Sequence, residues 1–334
     1  MEQALIYFKI FAHNIPVRGK QRSAIYDLQK GKITLIPNVL YDIIQDLSKQ
    51  PLLSIKHKYA PQNPELFDNY IDFLLKKDLG FKTKTPEDFP DLVLDYDIAS
   101  DIYSAVIESD FKNYDINTLI DCLNELLCQY LEVRLDIKGQ SREDVLDFIN
   151  RLNGKTFRSV VLIIEYCPEL WYDDWAKTFF EACPKIEKII IVNCPIKFNS
   201  ESYMQQIIFS PQTLTEVSKY KERHIVNQHY FMEALHFNPF YNRKVCVDNQ
   251  GNIKNDLRQK EAFGIISKSS NLQHELLQVI KSEAFRERWY ASPDSIEGIK
   301  DSELRYCQFL PFLISKNKNN DWILNQSLSM ELSI

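Results

Sequence analysis

Three apolar runs recur at near-even intervals in the middle of the chain: LEVRLDI from 131, RSVVLII from 158 and EKIIIVN from 187. Their starts lie 27 and then 29 residues apart, and helical patterns fill the gaps (REDVLDFINRL, then DDWAKTFFEA). That interval accommodates a strand, a helix and two connections, so it predicts successive units of a parallel sheet. Strands of such a sheet are covered on both faces, which explains why VVLII and IIIV are continuous apolar runs. LVLDYDI near 92, SAVIES near 104 and HIVNQHYFM near 224 extend the series to five or six units. Five or six are too few to close an eight-unit barrel, so the expectation for 91–235 is an open or partial β/α barrel within an α/β fold.

The first ninety residues follow another pattern. LIYFKIFA, RSAIYDL and KITLIP are rich in β-branched and aromatic residues and read as a small antiparallel meander, with a turn at Gln29-Lys30-Gly31. Val39, Leu40, Ile43, Ile44 and Leu47 then repeat at helical spacing, with Asn38 as the expected N-cap. Phe67, Tyr70, Ile71, Leu74 and Leu75 repeat likewise, with Gly80 as the stop, and FKTKTPEDFP adds a strand and a linker. Three strands, a helix, a basic connection (SIKHKYAP), a helix and a strand are the order of a winged-helix module. The segment holds 13 Lys and Arg against 10 Asp and Glu, a balance of +3, which leaves −9 of the total −6 for the remainder.

The +3 favours an acidic partner only slightly, the total of −6 gives no global sign of a nucleic-acid binder, and the second helix argues against one. PELFDNYIDFLLKKD is acidic at its start, where base readout takes place. An unpaired strand edge beside a helix suits a different guest: an extended peptide that adds as a further strand. The candidate peptide-binding residues are therefore Lys32, Ile33, Thr34, Leu35 and Ile36 on the strand, with Phe67, Tyr70, Ile71 and Leu74 on the helix.

Other motifs carry less. Eight glycines and no G-x-G-x-x-G or Walker-type loop disfavour a phosphate cradle. The N-terminus lacks a basic n-region, and no apolar run reaches the roughly 20 residues of a membrane span, so the expected location is cytoplasmic. Seven cysteines without C-x-x-C spacing read as small buried hydrophobes. Cys167 and Cys194 each follow a strand and precede proline, and would share the carboxyl rim of a parallel sheet, yet no third ligand accompanies them. His224, His229 and His236 surround an expected strand, at spacings that do not bring them to one face. Asp95, Asp97 and Asp101 read as a solvated turn cluster, and Trp171 and Trp175 as core aromatics one helical turn apart.

After 236, NPFYNRKVCVDNQGNIKND forms a hairpin about Asp248-Asn249-Gln250-Gly251. An amphipathic stretch (LQHELLQVIKSEAFRERW) follows, then KNKNNDW and NQSLSMELSI, expected to be poorly ordered or weakly docked.

The opening YFKIFAHNIPVRGKQRSAIYDLQKGKITLIPNVLYDII, the hairpin NRKVCVDNQGNIKN with AFGII, and the later FRERW and KDSELRYC resemble the SPASM-domain peptide maturases of grasp-with-spasm systems. Such proteins accompany an ATP-grasp ligase and a small ribosomal precursor peptide. The resemblance implies a winged-helix-like precursor-recognition module at 1–90, a radical-SAM-like partial barrel at 91–235 and a SPASM-like region at 236–334. In cluster-binding members cysteines stand at the hairpin ends and in a later pair. Here Phe240 or Tyr241 takes the first place, Asp256 the next, and Ile299 and Ser302 the pair, while Cys307 remains. The C-x-x-x-C-x-x-C of a reactive cluster is also missing.

The resemblance and these departures together imply a non-catalytic maturation partner in ribosomal peptide biosynthesis. It would bind the precursor's leader and present it to the ATP-grasp ligase, with no cofactor of its own, no membrane and no nucleic acid as partners, and with a homodimer left open. Three rival readings remain: an iron-sulfur, radical-SAM-like peptide-modifying enzyme drawing on Cys167, Cys194 and Cys246, a winged-helix DNA-binding regulator, and a structural protein unrelated to that family.

Overall fold

The computed structural model describes residues 5–59, 64–168, 175–195, 206–214, 222–266 and 272–325. The amino-terminal meander consists of β2 (Asn14–Arg18), β3 (Ser23–Asp27) and β4 (Lys32–Ile36), antiparallel and in that order. NIPVR, not LIYFKIFA, supplies its first strand. Pro16 sits opposite Ile25, and β2 tolerates a residue with no N–H because it lies at the sheet border. LIYFKIFA instead contributes β1 (Tyr7–Ile10), which pairs with β5 (Gly80–Thr83) in a separate two-stranded sheet.

Three helices, not two, lie between β4 and β5. α1 (Asn38–Leu47) is capped at Pro37, so Asn38 is its first helical residue. The Asn38 side chain is used elsewhere, accepting from Ser23 Oγ at 2.6 Å and donating to Gly19 O and Lys20 O. The basic connection is a helix, α2 (Leu52–Tyr59). Its one buried side chain, Ile55, leaves no periodicity to detect, and ion pairs Lys56–Asp68 and Lys58–Asp46 tie it to its neighbours. α3 (Pro64–Lys76) ends on Asp78, at φ +54°, where the Leu79 N–H bonds Leu74 O. The left-handed residue is thus Asp78, two places before Gly80. Gly80 is needed for closeness: a Cβ there would stand 2.5 Å from Lys9 O and 2.7 Å from the Phe8 ring. Gly80→Ala is expected to cost roughly 1–3 kcal/mol by overpacking, read from the urea midpoint; an unchanged midpoint contradicts that contact.

The meander is covered on both faces. Ile25 and Ile36 join Phe8, Leu40, Ile44, Phe67 and Leu74 on the helical side. Ala24, Tyr26 and Val17 pack on the other side against Phe231, Ala234 and Tyr306 from later in the chain. The Tyr26 hydroxyl donates to Glu303 O at 2.8 Å, and the Lys20 N–H bonds Asp301 O.

The central sheet has eight strands in the order β10–β9–β8–β7–β6–β12–β13–β14. β6 (Ser104–Ser109), β7 (Tyr130–Leu135), β8 (Ser159–Glu165), β9 (Ile186–Val192) and β10 (Ile207–Phe209) are parallel and in chain order. α4 (Ile116–Glu125), α5 (Arg142–Asn153) and α6 (Trp175–Ala182) connect the first four. Right-handed crossovers that always step in one direction place these helices on one face. Ile107, Val133, Leu162 and Ile189 share the resulting core with Leu119, Phe148, Phe179 and, from α8 (Leu272–Lys281), Leu276.

Two expected strands are absent from this sheet. LVLDYDI near 92 is extended but unladdered, with Leu92, Leu94 and Tyr96 half-buried and Asp95 and Asp97 exposed. HIVNQHYFM becomes the two-residue β11 (Arg223–His224) and then helix α7 (Gln228–His236), whose Asn227 cap accepts from the Tyr230 N–H at 2.8 Å. The sixth parallel neighbour is the hairpin itself. β12 (Lys244–Val247) lies parallel to β6, and β13 (Asn252–Lys254) and β14 (Gly264–Ile265) follow antiparallel. Asp248 Oδ1 accepts from the Gln250 and Asn252 N–H groups, and Gly251 takes φ +83°, which fixes the turn.

KNKNNDW is ordered, contrary to expectation. It joins β15 (Ile314–Lys316) to β16 (Trp322–Leu324), with Asn317 Oδ1 accepting from the Asn319 and Asp321 N–H groups. NQSLSMELSI after Asn325 lies outside the described residues, as does Trp171.

Candidate functional site

β4 is a border strand, and among the described residues only β3 pairs with it. Strand alternation divides its side chains. Ile33 and Leu35 stand opposite Tyr26 and Ala24, while Lys32, Thr34 and Ile36 stand opposite Asp27, Ile25 and Ser23. Lys32 is exposed and Leu35 is 45% exposed, with Val39 of α1 at 48% a short way along the chain. Ile33, Thr34 and Tyr70 are half-buried. The remaining four predicted residues, Ile36, Phe67, Ile71 and Leu74, are buried together in the helical core. They set the position of the border and do not offer a contact surface of their own.

The hairpin ends, where ligands would be expected by resemblance, meet in an ion-pair knot. Asp256 accepts from Arg258 Nε at 2.8 Å and from Lys244 Nζ at 3.3 Å. Lys244 Nζ also lies 3.9 Å from the centre of the Phe240 ring, and Arg258 donates to Pro311 O. Burial pushes the Asp256 carboxyl upward, but Lys244 and Arg258 outweigh it and hold the group well below the carboxylate range. Alongside, Arg134 pairs with Glu132 at 2.6 Å and Glu108 at 3.5 Å, and Lys254 with Asp248 at 2.7 Å. Burial raises Glu108 despite Arg134. Around the hairpin, Glu108, Glu132, Asp248 and Asp256 thus balance Arg134, Lys244, Lys254 and Arg258, four charges of each sign.

All seven cysteines are buried. Cys246, facing the knot, is pushed up to about 12 by burial, and Cys194 to about 11. Cys167 and Cys194 do sit after the neighbouring strands β8 and β9, as the sequence implies. Among the described residues no three His, Cys, Asp or Glu side chains are grouped as metal ligands would be. His224 is on β11, but His229 and His236, contrary to expectation, stand seven residues apart on one side of α7, with His229 against the Tyr96 ring at 5.3 Å and His236 Nε2 at 3.3 Å from Leu94 O.

One titratable centre has no sequence signature. Glu233 projects from α7 and accepts from Asn242 Nδ2 at 2.9 Å. Burial raises its carboxyl to about 7, against the opposing pull of Asn242, Tyr96 and Arg243. Its neighbours come from the extended segment at 96, remote in sequence, and from the loop at 242, nine residues on, and no pattern in MEALH announces them.

None of the described helices is long and apolar enough to cross a membrane. Comparison of the whole chain with protein-family models gave no match, and comparison with curated proteins gave none either.

Proposed function

We propose that the chain is a non-catalytic partner in the maturation of a ribosomally made peptide, binding the precursor's leader along β4 and presenting it to an ATP-grasp ligase in the cytoplasm. The observation that carries this reading is the border of β4, which among the described residues pairs on one side only, with β3, and leaves Lys32 and Leu35 exposed. Backbone pairing gives an extended guest its affinity, and alternate side chains give selectivity. The meander followed by three helices supports a winged-helix-like module, and the consecutive parallel strands support kinship with a partial radical-SAM-like barrel. The hairpin is read as a SPASM-like remnant in which an ion-pair knot fills the place of a cluster. Holding the substrate on this subunit raises its local concentration at the ligase.

Calorimetric titration with the short precursor encoded beside the gene tests the proposal. Heat is expected, together with co-elution of chain, peptide and ligase. A leader N-methylated at alternate backbone nitrogens should bind at least about tenfold more weakly, since each lost pairing is worth about 1 kcal/mol. No heat and no co-elution would remove the idea.

A further inference from the structure

We infer that the border of β4 selects an extended segment of the form apolar–any–apolar–acidic, laid antiparallel to the strand. The inference rests on the peptide-binding reading above, and adds which sequence is held and which way it runs. On one face of β4, Ile33 is half-buried against the cluster containing Tyr26 and Phe231, whereas Leu35 is 45% exposed. An added strand places one side chain beside each of these two, at alternate positions on that face. Apolar side chains there extend the cover over Ile33 and supply what Leu35 lacks.

Lys32 provides the charged element. Nearby lysines are committed: Lys30 to Asp78 at 2.8 Å and Asp27 at 3.8 Å, Lys9 to Asp91 at 2.8 Å, and Lys56 to Asp68 at 2.7 Å. Lys32 is exposed and, among the described residues, forms no ion pair, so a carboxylate arriving opposite it meets an available cation. Direction follows from the sheet. β2, β3 and β4 are antiparallel throughout, and antiparallel rungs are the more stable per residue. Read from its amino end, an antiparallel guest passes Leu35, Thr34, Ile33 and then Lys32, so the acidic position comes last.

Selection of random displayed peptides on the full chain tests this. Enriched sequences should carry the apolar–any–apolar–acidic order. Lys32→Glu should weaken a selected peptide about fivefold, the equivalent of roughly 1 kcal/mol, and changing the peptide's acidic residue to lysine should restore it. Leu35→Ser, at an exposed position, provides a second variant with the same sense, and melting curves verify that both variants are folded. Peptides that depend on their backbone N–H groups, yet ignore Lys32→Glu or bind equally in reversed order, overturn the inference and leave the peptide-binding reading standing. A selection that enriches nothing, or peptides indifferent to N-methylation, overturns both.

Discussion

Glu233→Gln stabilises the chain at pH 8 and removes a slope from its stability between pH 5 and 8. The folded carboxyl titrates near 7, raised from an ordinary value of 4.5. Its contribution is therefore fully present below the unfolded value, where both states are protonated, and is lost as pH rises through 7, where the folded state must carry a buried charge. A shift of that size corresponds to on the order of 3 kcal/mol. Glutamine keeps an oxygen for the Asn242 amide and stays neutral at every pH. Urea midpoints of both proteins at pH 5 and pH 8 decide the matter. The gap should open in favour of the variant at pH 8 and close at pH 5; parallel curves would show that Glu233 is not the group responsible.

Asp256→Ala is expected to produce the largest loss of stability in the hairpin, about 3–5 kcal/mol. The side chains of Asp256 and Lys244 are only 5% and 8% exposed, so the lysine ammonium would remain in a dry site without the carboxylate that balances it. Its place over the Phe240 ring retains part of the interaction, which puts the effect toward the lower figure. Asp256→Asn preserves shape and an acceptor for Arg258 and should fall between the two. Because the carboxyl is held below its usual range, its stabilisation is complete above the unfolded value and fades only as pH falls through the folded one. The difference between wild type and variant should thus persist from pH 8 down to pH 5. Equal melting of wild type and Asp256→Ala would show that the knot is incidental.

Much of the architecture is legible in the sequence wherever burial is continuous. Val160–Ile164 and Ile189–Val192 are apolar without interruption although the helices cover one face only: Val160, Leu162, Ile164, Ile189 and Ile191 join the helical core, while on the opposite face Ile163 and Val192 are buried and Val161 and Ile190 half-buried. Legibility fails where one residue does the anchoring or where an apolar run changes structure midway. Ile55 alone gives α2 no pattern, and HIVNQHYFM turns from strand to helix at Asn227. Pro16 interrupts the strand pattern of NIPVR, although a border strand accepts it. The knot, by contrast, was accessible: folding the hairpin about its turn sets Cys246 against Lys254, and two residues further Lys244 against Asp256. Charge opposite charge at the hairpin ends was the signal. Glu233 has none, since Tyr96 reaches it through tertiary packing and Asn242 through the fold of an irregular loop. For β4, the strand follows from the β-branched and apolar residues of KITLIP, its border position from the order of the sheet, and the burial of Ile36, Phe67, Ile71 and Leu74 from the helical core that sits on it.

The seam under β3 has a practical consequence. Tyr26 packs edge-on against Phe231 at 5.1 Å, and Phe231 against Tyr306 at 5.3 Å. Cutting after residue 90 would strip that aromatic seam and leave a greasy flank in water. The amino-terminal third is therefore no portable tag: fused ahead of a foreign enzyme it would aggregate sooner than deliver cargo, and any transplant of its specificity has to carry the far end of the chain along with it.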